Sequence, residues 1–115
     1  MDERLTKALE FGNYSATIAN QKQLIKNRVK QLTTVHHNNG VFYADTSTIS
    51  FVQTLIANGA TGSIIVDTKE NPIRITSLVE FQETLLSAYN DAMNEYEAEF
   101  EKLKKVRNLK KLMDW

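Results

Sequence analysis

Residues 77–115 read SLVEFQETLLSAYNDAMNEYEAEFEKLKKVRNLKKLMDW, and neither glycine nor proline interrupts them. The opening "SLVE" has the form of a capping box: Ser77 can cap a helix and Glu80 can reach back to it. Leu85, Tyr89, Ala92, Tyr96, Leu103, Val106 and Met113 then recur at spacings of three or four, close to a heptad seam. Glu99 and Lys110 interrupt it. A helix over about 77–113 would be about 55–60 Å long at 1.5 Å per residue. A compact chain of this size has a radius of gyration near 13 Å. Such a helix must project, or pack along a second long helix.

Residues 3–32 supply the second candidate. Leu5, Leu9, Phe11, Tyr14, Ile18, Ile25, Val29 and Leu32 recur with the helical period. Lys22, Lys26, Arg28 and Lys30 crowd the end, where positive charge complements the macrodipole. Gly12 and Asn13 weaken the segment locally; glycine costs about 1 kcal/mol relative to alanine. Charge orients the pair. The final helix is acidic in its first half and basic over "KLKKVRNLKK" (102–111), while the first is acidic at its start and basic at its end. Laid antiparallel, opposite charges meet. Each exposed pair is worth about 0–1 kcal/mol, so charge selects orientation and the apolar seams supply stability.

Gly40, Gly59, Gly62 and Pro72 all lie between these helices, which marks residues 33–76 as a region of short elements. "TTVHHN" and "VFYAD" flank "NNG", and Asn-Gly between β-formers signals a hairpin. Asp45, Thr46 or Ser47 can cap a short helix, "TSTISFVQTLIAN". Ile49, Val52 and Ile56 share one of its faces, with Phe51 and Leu55 beside them. Asn58-Gly59 is a usual helix stop. "SIIVDT" and "PIRIT" form a second strand pair around "KEN", with Ile73 and Ile75 inward and Arg74 outward. The expected class is α+β in one domain: two long antiparallel helices forming a stalk, with a small strand-helix-strand-strand head between them.

The only histidines, His36 and His37, are adjacent on a strand and so point to opposite faces. No second ligand sits at zinc-binding spacing, and there is no cysteine. A structural role is the expectation for both, as is a capping role for Asp45. Asp67 and Glu70 flank a turn, where carboxylates are usually solvated. No Gly-x-Ser-x-Gly elbow and no Gly-x-x-x-x-Gly-Lys loop occurs. Tyr89, Tyr96 and Phe100 at helical spacing read as core or interface. No catalytic residue, cofactor or metal is expected.

Composition narrows the partners. Fourteen basic and fourteen acidic residues give zero formal net charge, so no global attraction to nucleic acid or membrane is expected. No apolar run approaches a membrane span, and "MDERLTKALEF" lacks the apolar core of a signal peptide. One basic cluster, Lys102, Lys104, Lys105, Arg107, Lys110 and Lys111, would carry an alternative function in nucleic-acid binding or regulation. Its plainer reading is a solvated helix end. A second apolar strip on the last helix, with Phe81, Phe100, Leu109 and Leu112, and Trp115 at the end of the chain, suggests a homo-oligomeric interface. Head loops at Asn38, Asn39 and Gly40, at 59–63 and at 69–71 are candidate contact surfaces.

The run from "HHNNGVFYADTSTISFVQTLI" through "GSIIVDTKENPIRITSLVEFQETLLSAYNDAMNEYEAEF" resembles an uncharacterised domain of bacteriophage tail and tail-fibre-associated proteins. Phe42, Asp45, Thr46, Asp67, Ile75, Thr76, Phe81 and Tyr89 carry the likeness, over about residues 36–100. The N-terminal helix lies outside that pattern. The resemblance implies no catalytic residues. It implies a non-enzymatic structural or assembly protein acting through protein–protein contacts with other phage structural proteins, in the host cytoplasm during assembly or in the virion.

Overall fold

The computed structural model describes the backbone of residues 3–114, and the side chains within that range except 8, 11–15 and 106–114. The order is α1 (Glu3–Leu32), β1 (Thr34–His37), β2 (Gly40–Tyr43), α2 (Thr46–Ala57), β3 (Ser63–Val66), β4 (Pro72–Ile75) and α3 (Leu78–Asp114). The fold is α+β, with a long C-terminal helix and two small antiparallel sheets, β1–β2 and β3–β4. The chain divides into two compact units, Val29–Glu95 and Met1–Arg28 with Tyr96–Trp115.

Within Val29–Glu95, β1 and β2 pair in the register Thr34↔Tyr43 to His37↔Gly40. The turn is therefore Asn38-Asn39, not the expected Asn39-Gly40. A two-residue hairpin turn of the type that matches strand twist needs positive φ at both central positions. Asn38 and Asn39 have φ of 49° and 67°, which asparagine tolerates better than most residues. Gly40 begins β2 for a steric reason. A Cβ there would lie 2.7 Å from Ile73 Cγ1 and 2.8 Å from Phe42 Cε2.

The core gathers around the start of α3. Phe81, Ile75, Leu78, Leu85 and Val52 are its largest fully buried side chains, each worth about 1.5–3 kcal/mol. Val35, Phe42, Ala44 and Ile65 complete it, and Ile49, Leu55, Ile56, Ile73, Ala88 and Tyr89 pack against it. Ile73 and Ile75 face inward and Arg74 outward, as alternation requires. Ser77 caps α3 by accepting the Glu80 N–H at 3.3 Å. Asp45 caps α2 by accepting the Thr48 N–H at 2.8 Å. At its other end Gly59, with φ 88°, reverses the chain. Its N–H donates to Ile56 C=O and that of Ala60 to Leu55 C=O, a Schellman closure.

Two expectations are corrected. Phe81 is not on an outer strip: it is fully buried, edge-on to Phe42 at 4.9 Å. A stalk of two long paired helices is not supported. Among the described side chains of α1 none is buried; Ile18, Ile25 and Val29 are half-buried, and Leu5, Leu9 and Leu24 are exposed. In the unit formed by the two chain ends, Tyr96 stacks on Phe100 at 6.1 Å. The Lys22 and Lys104 ammonium groups lie 5.9 and 5.5 Å from the centre of the Phe100 ring.

Candidate functional site: a groove between the two hairpins

The hairpins are joined through one buried carboxylate. Asp67 Oδ2 accepts the Val41 N–H at 3.0 Å, and Oδ1 accepts those of Lys69 at 3.0 Å and Asn71 at 2.8 Å. The Val41 C=O accepts the Thr68 N–H at 2.8 Å. The N–H groups of Val41 and Asn71, aided by Lys69, hold the Asp67 carboxyl below its ordinary value of 3.8 against the opposing effect of burial. Asp67 is thus a structural clasp, where the sequence suggested a solvated turn residue. The Asp67 N–H donates to Asn71 C=O and the Glu70 N–H to Asp67 C=O. Those bonds mark a three-residue loop with a bulge, in which Glu70 takes φ 64°.

Beyond the Val41–Thr68 contact the two strands frame a groove of about 520 Å³. Its walls include Tyr43 on β2, Phe51 on α2, and Ile64 and Val66 on β3. These side chains are 37%, 51%, 53% and 62% exposed. Sequence reasoning placed Phe51 beside the core face of α2 and gave β3 no functional weight. The signal was present in "SIIV": three consecutive β-branched residues cannot all face inward on a strand, so alternation leaves Ile64 and Val66 outside.

Of the two histidines, one is engaged structurally. His37 packs on Phe81 at 5.0 Å between ring centres, while His36 is exposed on the opposite face. Among the described residues no three His, Cys, Asp or Glu side chains group to hold a metal, and no helix is long and apolar enough to cross a membrane. Of the loop candidates, Asn38 donates its side-chain N–H to Arg74 C=O at 2.9 Å, and Asn39 is exposed. Gly40 is buried and offers no surface contact.

On α3, Phe100 is half-buried. Trp115 lies outside the described residues, as do the side chains of Leu109, Leu112, Arg107, Lys110 and Lys111. Lys102 pairs with Glu99 at 3.2 Å and Lys104 with Glu101 at 3.4 Å, one turn apart on the same helix. Lys105 is exposed. The pairing accounts for two of these lysines without nucleic acid.

Six of the eight residues that carry the resemblance also hold the fold together. Phe42, Ile75 and Phe81 are core, Tyr89 packs against it, Asp45 caps α2 and Asp67 clasps the hairpins. No family model, curated protein or solved structure matches this chain.

Proposed function

We propose that this chain is a non-enzymatic structural or assembly protein of a tailed bacteriophage, acting through protein–protein contacts. The observation that carries the contact role is the groove in the Val29–Glu95 unit. Four large apolar side chains, Tyr43, Phe51, Ile64 and Val66, stand exposed around one opening. Exposed apolar residues gathered in one place mark interaction surfaces, whereas single ones need no explanation. The phage-tail assignment rests on the sequence pattern through Phe42, Asp45, Asp67 and Phe81.

Immunoblotting of phage particles and tail intermediates from the native source, with antibody to this chain, tests the assignment. Signal in either fraction supports it. Turnover of a small substrate by the purified chain, lost on substituting residues of the Val29–Glu95 unit, would overturn it. So would salt-sensitive nucleic-acid binding that disappears when Lys102, Lys104 and Lys105 are replaced.

A further inference from the structure

Among the described residues the edge of β3 that faces the groove has no strand partner. The Asp67–Asn71 hydrogen bond and the register Val66↔Pro72, Ile65↔Ile73, Ile64↔Arg74 fix which backbone groups point toward β4. In an antiparallel pair these alternate. Asp67, Ile65 and Ser63 bond toward β4, so Ile64 and Val66 turn their N–H and C=O outward. The same alternation on β2 turns Val41 and Tyr43 outward from β1. Thr68 and Asp67 occupy Val41. Beyond that contact, among the described residues, no third strand lies beside β2 or β3, since each sheet has two strands.

Free edges are normally blunted by lysine, proline or a covering element. β3 is "SIIV", without charge or proline, and Pro72 lies on the other strand. A groove floored by Phe42 and Ile65, with outward backbone groups on both sides, offers alternating donors and acceptors that an extended backbone can satisfy.

We infer that this groove is a strand-addition site: it takes an extended segment of a partner protein, apolar at alternate positions, which pairs with the β3 edge at Ile64 and Val66. A second copy fits less well. It would bring β4 at the back of its own β3, and the groove is walled on the far side by Tyr43 and Phe51. Charge adds a preference. Asp67 is buried, so Asp45 is the exposed carboxylate among the lining residues. A basic residue toward the α2 end of the segment complements it. The inference rests on the contact role proposed above and narrows it to one surface and one class of partner.

The test is selection of displayed random peptides of roughly eight residues on the full chain. The selected peptides are then measured against Val66→Pro and Ile64→Lys. Val66→Pro removes an outward N–H that makes no bond to β4, and Ile64 is exposed, so both variants should melt with the wild type. The expected result is enrichment of sequences apolar at every second position. Binding should weaken at least tenfold in both variants, with amide shifts at Ile64, Val66 and Tyr43 on titration.

Equal binding to the wild type and both variants, or enrichment of peptides with a helical period, overturns the inference. So does a wild-type dimer that Val66→Pro dissociates without peptide, because the occupant would then be a second copy. Failure to enrich any peptide also overturns it. That failure would leave the assembly role intact if the chain is found in tail particles.

Discussion

Asp67 and Val41, 26 positions apart, are joined by a hydrogen bond of 3.0 Å from the Val41 N–H to the Asp67 carboxylate. Two hairpins that share no strand ladder are tied there, and the clasp bounds the groove at its closed end. Each N–H that Asp67 accepts would lack this partner if the carboxylate were removed.

Asp67→Ala is therefore expected to lower the melting temperature more than alanine at the neighbouring exposed Thr68 or Lys69. The pH dependence has a definite sign. The folded-state pKa is lowered, so the carboxylate's contribution is fully present above the ordinary value of 3.8 and is lost as pH falls through the folded value. Urea unfolding between neutral pH and pH 3 should show an acid-side loss in the wild type. In Asp67→Asn that component should be missing; an identical acid profile would mean that the clasp is not ionic.

Glu70 occupies a left-handed position, φ 64°, which costs a residue with a Cβ about 1–2 kcal/mol. Glycine removes that cost but makes the unfolded chain more flexible. Glu70→Gly should raise stability by about 0.5–1 kcal/mol. Calorimetry showing destabilisation would indicate that the Glu70 side chain has an unrecognised partner.

Two glycines are required by packing and not by turn geometry. A Cβ at Gly40 would press on Ile73 and Phe42, and one at Gly62 would lie 2.7 Å from the Ile75 carbonyl oxygen. Alanine at either should cost about 1–3 kcal/mol by overpacking. The carbonyl belongs to the backbone, so Gly62→Ala should be the worse of the two in denaturant titration.

The adjacent histidines should separate cleanly. His36→Ala, on the exposed face, should leave stability within about 0.5 kcal/mol. His37→Ala removes a ring packed on Phe81 and should cost about 1 kcal/mol. Equal effects would contradict the strand register.

Much of the Val29–Glu95 unit was legible because its signals are local. The capping residues Asp45 and Ser77, the stop at Gly59 and the alternation at Ile73–Ile75 each follow from a few neighbouring residues. What was not legible depended on meetings between distant segments. Asp67 looked like a solvated turn residue because its partner, Val41, lies far away in sequence. Gly40 looked like a turn glycine because the need for it arises at Ile73. Phe81 was placed on an outer strip because helical periodicity identifies apolar stripes without saying which one meets the hairpins. The groove was missed for a related reason: a free strand edge is a property of topology, and "SIIV" reads the same whether or not a third strand lies beside it.

The clasp has a further consequence, for the order in which the unit assembles. Both sheets are hairpins whose strands are neighbours in the chain, and hairpins close in about 1–10 μs. The Val41–Asp67 bond instead joins two such pieces across a longer loop, whose closure is entropically costlier. Its natural place is after the main barrier, once each hairpin has met α3. Asp67→Ala removes this clasp together with the turn bonds from Lys69 and Asn71, which close within the second hairpin. Stopped-flow kinetics should therefore show faster unfolding from loss of the clasp and slower refolding from loss of the turn bonds. The bond between the two hairpins would thus govern how long the folded unit persists, and have little say in how quickly it forms.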